Sequence, residues 1–162
     1  MAHEPRLMRE LRNLLETTRV AALGTTQDDG TPFVSMVPYA IDARLGCMVI
    51  HVSGLAAHTR HLQARRQVSI LVMAPETSGN PVHDLPRVTL LGSASVPARD
   101  SDVWNSCKAA YLARFADVEH MTELGDFRFV AIDVHGVRHI SGFGAARTVD
   151  TEELKLVLGR AQ

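Results

Sequence analysis

Side chains able to do chemistry concentrate in residues 49–62, which read VIHVSGLAAHTRHL. An apolar run suited to a buried strand ends at Ser53 and Gly54, and apolar residues then recur at helical spacing, which predicts a helix from about Leu55. A strand, a small-residue turn and a helix start bring free backbone N–H groups to the positive end of a helix dipole. The segment therefore predicts either a site for phosphate or another anion, or an ordinary connection in which Ser53 caps the helix. The side-chain donors available to such an anion are Ser53, His58, Thr59, Arg60 and His61.

A metal site is the competing interpretation, because four histidines (His51, His58, His61 and His139) fall in or near predicted strands and helices. His58 and His61 are three residues apart, so a helix would place both on one face. No carboxylate or cysteine accompanies them at ligand spacing, and no metal is predicted. We expect His51 to lie on a strand near a ligand groove and His61 to lie in solvent.

The chain has 162 residues, of which 46% are hydrophobic, and a formal net charge of −1. This composition is typical of a folded globular protein, and the near-zero charge argues against nucleic acid or a membrane surface as a partner. No apolar run reaches membrane-spanning length, and residues 1–12 lack the apolar core of a signal peptide. Cys47 and Cys107 do not have metal or redox spacing, which favours a reducing, cytoplasmic location.

Hydrophobic periodicity and turn residues predict a mainly β (α+β) single domain over residues 1–162. The early strands form a meander and the helices fall at the ends and between later strands, which favours an antiparallel barrel over residues 19–144 with helices outside it. Pro38 places the second strand at an edge or a bulge, and Asp100 and Asp150 are predicted helix caps. The predicted helices are 5–17, 55–65, 100–114 and 151–158, with a helical turn at 118–122, and the predicted strands are 20–26, 33–41, 47–52, 67–74, 87–97, 126–134 and 137–143, the last two joined at His135-Gly136.

Arg87 and Phe143 each have two interpretations. Arg87 begins a strand. In the structural interpretation it lies in solvent or pairs with Asp84 or Asp126. In the functional interpretation its planar guanidinium contacts a phosphate, a carboxylate or a bound oxygen species. Phe143 stands between two glycines, so it either belongs to a strand-ending bend or stacks on a flat cofactor ring. Trp104 and Tyr111 lie on the apolar stripe of a predicted helix and are expected in the core or in a dimer interface.

Six phrases occur in order along residues 7–147 and together resemble the pyridoxamine-phosphate-oxidase-like flavin-binding split-barrel superfamily. Within it, the chain is most similar to the branch that includes haem-utilisation proteins. The phrases are Gly24-Thr25 with Asp29-Gly30-Thr31-Pro32, Ser35-Met36-Val37-Pro38-Tyr39-Ala40, His51-Val52-Ser53-Gly54-Leu55-Ala56-Ala57-His58-Thr59, Arg87-Val88-Thr89-Leu90-Leu91-Gly92, Gly125-Asp126-Phe127 and Gly142-Phe143-Gly144-Ala145-Ala146.

The resemblance implies a split antiparallel β-barrel of about six or seven strands that forms a homodimer. It implies FMN in a groove at the dimer interface, with the phosphate at the turn after Ser53, and an oxidoreductase acting on a small substrate with catalytic residues unassigned. By position, the family's basic phosphate contacts fall on Ala57 and His58, so one cation is lost and the other becomes histidine. The implied cofactor contacts are Ser35, Val37, His51, Val52, Ser53, Leu55, His58, Thr59, Arg87 and Phe143.

Two alternatives remain open at this stage. The first is haem binding, for which the branch implies an axial histidine in the C-terminal tail. This chain has no histidine after His139, and residues 148–162 are predicted to be helical, so His58 or His139 would have to supply the nitrogen in a different geometry. The second is a dimeric binding module of the same fold that has lost its cofactor, which the changes at Ala57 and His58 favour.

Overall fold

A single antiparallel sheet of eight strands forms the centre of the molecule in the computed structural model, which describes residues 4–159. The strands are β1 Val20–Thr26, β2 Pro32–Pro38, β3 Ala40–Asp42, β4 Cys47–Ser53, β5 Gln67–Met73, β6 Arg87–Ser95, β7 Phe127–Ile140 and β8 Ala146–Thr148. Their order across the sheet is β2-β1-β5-β6-β7-β4-β3, with β8 added to β7. The sheet curls into a split barrel, which confirms the predicted mainly β fold class.

Alternating side chains of these strands fill the barrel interior, as the period-2 pattern of half-buried strands requires. Leu23, Ile50, Ile70, Leu90 and Ile132 are all at most 1% exposed there. The helices lie outside the barrel and are α1 Arg6–Thr17, α2 Ala57–Ala64, α3 Asp102–Arg114 and α4 Thr151–Leu158. The longest of them, α3, has 13 residues, so no helix within residues 4–159 is long and apolar enough to span a membrane.

A second apolar core lies on the other face of β4 and β7, where α3 packs across them. Its members include Val49, Phe129, Trp104, Cys107 and Tyr111. Trp104 and Tyr111 are therefore core residues within the chain, one of the two predicted alternatives. Both cysteines are free thiols buried in this layer.

Two predicted helix caps have different outcomes. Asp150 caps α4 as predicted, because its carboxylate accepts the Glu153 N–H at 2.8 Å. The cap of α3 is Ser101, which accepts the Trp104 N–H, and Asp100 precedes it with a φ of 64°. The prediction of Asp100 as the cap was wrong by one residue, because the left-handed turn at Asp100 brings the next hydroxyl to the helix start.

Two strand boundaries also differ from the prediction. Residues 126–134 and 137–143 were predicted as two strands joined at His135-Gly136, but residues 127–140 form one long strand, β7, which bends at a bulge instead of reversing. The pairing register shifts between Leu91 and Gly92 on β6, and a Cβ at Gly92 would lie 2.6 Å from Ile132 Cγ2. The predicted strand 33–41 divides at Tyr39 into β2 and β3, the two edges of the sheet, so the edge position inferred from Pro38 is confirmed.

Arg114 joins α1, α3 and the β2–β3 junction. Its guanidinium donates to the carbonyls of Leu15, Glu16 and Thr18 at the C-terminal end of α1, and to the Tyr39 carbonyl at 3.2 Å. The same group lies 4.8 Å from the centre of the Tyr39 ring. Since the last carbonyls of a helix have no partners within it, Arg114 supplies both the missing donors and a favourable charge.

Candidate functional site

The turn between β4 and α2 differs in detail from the predicted capped helix start. The helix begins at Ala57, and its cap residue, Ala56, makes no side-chain cap hydrogen bond. The Ser53 hydroxyl instead accepts the Leu55 N–H at 3.2 Å and donates to Asp126 Oδ2 at 3.1 Å. Ser53 therefore fastens the turn to the start of β7, and the predicted Ser53 helix cap was wrong.

Most hydrogen-bond donors of this turn already have partners within the chain. Thr59 is fully buried, and its hydroxyl donates to the Ser53 carbonyl at 2.6 Å. The Gly54 N–H donates to the Asp126 carbonyl at 2.6 Å and the Ala56 N–H to the Ser53 carbonyl at 3.2 Å. The two predicted hydroxyl donors are thus engaged, and the turn offers an anion fewer free groups than the sequence indicated.

Two charged residues beside the turn come from β7 and its approach. The exposed Asp126 carboxylate accepts from Ser53, which places negative charge where the phosphate was expected. The Arg128 guanidinium lies against Gly54, since a Cβ there would be 2.7 Å from Arg128 Nη2. Sequence reasoning assigned neither residue to the site, because both reach it through the pairing of β4 with β7.

His58 lies on the first turn of α2 and faces the edge strand β2. Its Nδ1 is 2.9 Å from the Ser35 hydroxyl, so two predicted cofactor residues that are 23 positions apart meet here. Partial burial lowers the pKa of His58 below its ordinary value, and the neighbouring His61 lowers it further. Both effects favour the neutral form of the His58 imidazole.

His51 lies in a different environment, under α3. Its ring centre is 4.5 Å from that of Phe129, 5.2 Å from Phe127 and 5.7 Å from Tyr111. Burial among these rings lowers the pKa of His51 to about 4. His51 and His58 thus face different parts of the molecule.

The other two histidines considered for a ligand role are buried. His61 is 5% exposed, its Nδ1 is 3.0 Å from Thr25 Oγ1, and the Phe33 ring meets it edge-on, so the prediction of a solvated His61 was wrong. The reason is that this side of α2 packs against β1 and β2. His139 is 1% exposed, and its Nδ1 accepts from Arg147 Nε at 3.2 Å. Nowhere in residues 4–159 do three His, Cys, Asp or Glu side chains converge as a metal-binding group.

The remaining predicted contacts are dispersed. Arg87 donates to the backbone carbonyls of Leu85 and His83 at 2.9 and 3.4 Å, and it pairs with neither Asp84 nor Asp126. Val37 and Val52 are each 3% exposed within the barrel core, so their side chains do not reach a groove. Leu55 and Phe143 are 90% and 81% exposed and contribute apolar surface on the outside of the molecule.

An open apolar cavity of about 700 Å³ lies on the outer face of β1, β2 and β5. Val34 and Met36, both about two-thirds exposed, and Met73, half exposed, form part of its wall. Ser35, the hydrogen-bond partner of His58, also lines it. This face of the sheet therefore presents mainly apolar side chains to solvent.

A curled antiparallel sheet with peripheral helices, in which a strand–turn–helix segment lies beside an edge strand, defines a split-barrel protein. Residues 7–141 match the family described as pyridoxamine 5'-phosphate oxidase, and the chain belongs to that family.

Its relatives include proteins named for haem. Heme oxygenase HutZ of Vibrio cholerae is 29% identical over 150 residues, and the chloroplast heme oxygenase HOZ of Arabidopsis thaliana is 31% identical over 152 residues. A heme binding protein of Mycobacterium smegmatis has a solved structure with a TM-score of 0.82 at 29% identity. The similarity to the haem-utilisation branch is thereby confirmed.

The relatives differ in how much of their length this chain matches. The matches cover 92%, 90% and 96% of this chain for the Vibrio, Arabidopsis and Mycobacterium proteins respectively. They cover 84% of the Vibrio protein but only 45% of the Arabidopsis protein and 62% of the Mycobacterium chain. The chain therefore spans less than two thirds of the length of the last two relatives.

Proposed function

We propose that this protein binds haem in a groove beside the β4–α2 turn. The observation that carries the proposal is the hydrogen bonding of that turn, in which Ser53 donates to the Asp126 carboxylate and Thr59 to a backbone carbonyl. A phosphate dianion there would face a carboxylate and a His58 whose neutral form is favoured, instead of the basic residues that the family resemblance implies. The relatives named for haem also favour haem over a cofactor that carries a phosphate.

The residues around the turn fit a flat apolar group that carries two carboxylates and one iron atom. Leu55 offers exposed apolar surface, and His58 offers an imidazole. Arg60 and Arg128 carry guanidinium groups that form no ion pair within residues 4–159, and they are suited to the two propionates. Bound haem would supply an iron centre for ligand or oxygen chemistry, while the protein holds and orients it.

The proposal includes a homodimer. Strand β2 is an edge of the sheet, and the apolar cavity beside it is open on its outer side. A second copy seated on this face would cover Val34 and Met36 and give the groove its other wall. A single domain over the whole chain and a reducing intracellular location are part of the same proposal, the latter because both cysteines are free thiols.

An FMN-dependent oxidoreductase is the second candidate, and one contact favours it. The Arg128 guanidinium lies against Gly54 and could take the place of the cation lost at Ala57. Since Asp126 lies beside the same turn, we expect FMN to bind more weakly than haem.

Parallel titrations of the purified full chain with haemin and with FMN test the proposal. Haemin should give a saturable shift of its Soret band at one haem per chain, at concentrations where FMN fluorescence is not quenched. Transfer of the haem to apomyoglobin should be slow, which distinguishes a site from surface adsorption. Stoichiometric FMN binding without a saturable haemin response would refute haem binding and establish the flavin alternative.

A further inference from the structure

His139 lies in a buried charged cluster near the C-terminal end of β7. Its side chain is 1% exposed, and its Nδ1 accepts a hydrogen bond from Arg147 Nε at 3.2 Å. Because a guanidinium can only donate, Nδ1 carries no proton and the single ring proton is on Nε2. Nε2 is buried and has no hydrogen-bond partner within residues 4–159. The contact with Arg147 therefore holds His139 in one tautomer, as a neutral ring.

The Arg147 guanidinium also attaches two helices to this end of the barrel. Nη1 and Nη2 each donate to a Glu153 carboxylate oxygen at 2.7 Å, and Nη2 donates to the Leu7 carbonyl at 3.2 Å. Glu153 lies on α4, and Leu7 lies on the first turn of α1. The side chains of Arg147 and Glu153 are only 21% and 19% exposed, so salt screens this two-pronged ion pair weakly. A movement of Arg147 therefore affects both α1 and α4.

A second ring proton on His139 is incompatible with this arrangement. The proton would go to Nδ1, where it would face the N–H of Arg147 Nε, so two donors and two positive charges would meet. The charged groups that face His139 are Arg147 from β8, Glu10 from α1 and Glu153 from α4, while β6 pairs the apolar Val88 with it. Burial and Arg147 lower the pKa of His139 more than the two carboxylates raise it. A form of the protein in which water reaches His139 therefore binds a proton more readily than the closed form.

Helix α4 is the element that this proton would free. The helix has eight residues, and a helix this short is not stable in water without packing. Its buried side chains are Leu154, Val157 and Leu158. The side-chain hydrogen bonds that tie it to the rest of the chain are those of Glu153 with Arg147 and one from Arg12 Nη2 to the Leu156 carbonyl. Loss of the Arg147 contact therefore removes most of its polar attachment.

We propose that His139, Arg147 and Glu153 form an acid-sensitive latch, in which protonation of His139 displaces Arg147 and lets α4 open from the barrel. The inference does not depend on haem or on any other ligand. Above the ordinary histidine pKa of about 6.5 the latch is closed, and its contribution is lost as the pH falls below that value. Opening would expose the apolar surface that α1 and α4 share, while the barrel stays folded.

Amide hydrogen exchange of the full chain at pH 7 and pH 5 tests the latch. Both values lie above the ordinary carboxylate pKa of about 4, so the Asp150 cap and Glu153 stay ionised. After correction for the intrinsic exchange rate, the protection of residues 154–159 should be at least about fivefold lower at pH 5. These amides should also exchange faster than those of β5 and β6 at both pH values, because the strands report global unfolding and α4 reports local opening.

Two histidine-to-glutamine variants assign the effect. His139→Gln keeps a side-chain acceptor for Arg147 but does not titrate, so the protection of α4 should become the same at both pH values. His135→Gln is the matched control, because His135 is exposed and bonded to Gln67, and it should keep the wild-type difference.

Three results would overturn the latch: equal protection of α4 at pH 7 and pH 5 in the wild-type chain, a pH difference that persists in His139→Gln, or α4 amides that exchange only together with β5 and β6. If His139→Gln misfolds, an NMR titration of the wild-type chain decides instead. The α4 amide shifts should then have the same midpoint as the ring nitrogens of His139, and shifts that follow a different group would contradict the proposal.

Discussion

Replacement of Arg114 by alanine should destabilise the protein more than any other surface-accessible arginine substitution on these helices. The change removes one donor from each of three carbonyls at the end of α1 and from the Tyr39 carbonyl, and of these the Leu15 carbonyl still accepts from the Tyr39 hydroxyl at 2.8 Å. A hydrogen bond from a charged donor contributes about 1.5–3 kcal/mol, but one nitrogen serves three of these acceptors and the group is partly exposed. Counting two effective bonds and discounting for solvent gives a loss of about 2–4 kcal/mol in the free energy of unfolding.

Urea denaturation followed by circular dichroism measures this loss directly. In a chain of this length the same change should lower the melting temperature by roughly 4–16 °C. Arg9→Ala is the matched control, because Arg9 is exposed on α1 and its side chain makes no hydrogen bond within residues 4–159, and it should stay within about 0.5 kcal/mol of wild type. An Arg114→Ala protein as stable as Arg9→Ala would refute the view that Arg114 holds α1 against the barrel.

Three further predictions concern other parts of the molecule. The pKa of His51 is about 4 in the folded protein and about 6.5 in the unfolded chain, so the unfolded state binds more protons between these pH values. The free energy of unfolding should therefore fall as the pH drops from about 6.5 to about 4. Urea titrations of His51→Phe should show a smaller dependence on pH over this range. Cys47 and Cys107 should react with a thiol reagent only after denaturation, since both are buried; two fast-reacting thiols in the native protein would contradict this. Gly54→Ala should cost about 1–3 kcal/mol in chemical denaturation, because the new Cβ would lie 3.0 Å from the Asp126 carbonyl oxygen, a backbone atom, and would displace the Arg128 guanidinium.

Local patterns in the sequence were enough to predict most of the sheet. Apolar runs over residues 67–74 and 87–97 predicted β5 and β6, and Pro38 at the end of β2 predicted the edge position. The long strand β7 was not predictable in this way. Whether residues 135 and 136 reverse the chain or only bend it is decided by a partner strand, where Gly92 allows Ile132 and the Asp133 carbonyl to approach closely. No local signal carries that information.

The candidate site, like the sheet, was predicted only in part from the sequence. Ser35, Ser53, His58 and Thr59 were selected from motif and resemblance, and the structure brings Ser35 to His58. What the hydroxyls do was not predictable, because their partners lie elsewhere in the chain or in the backbone. The burial of His61 was missed for a related reason, since a short helix with polar residues on several faces does not reveal which face packs inward.

The position of β4 in the sheet has a consequence for how the chain is made. This strand is apolar and buried on both faces, and Met48 pairs with Ile132, 84 residues further along. Only the three-residue β3 can pair with β4 early, and its other neighbour and the covering helix α3 are synthesised much later. At about 5–20 residues per second, β4 waits roughly 4–17 s for β7 to be made. During that interval β4 is the segment of the nascent chain most exposed to aggregation with other chains. Slow translation before β7 should therefore lower the yield of folded protein.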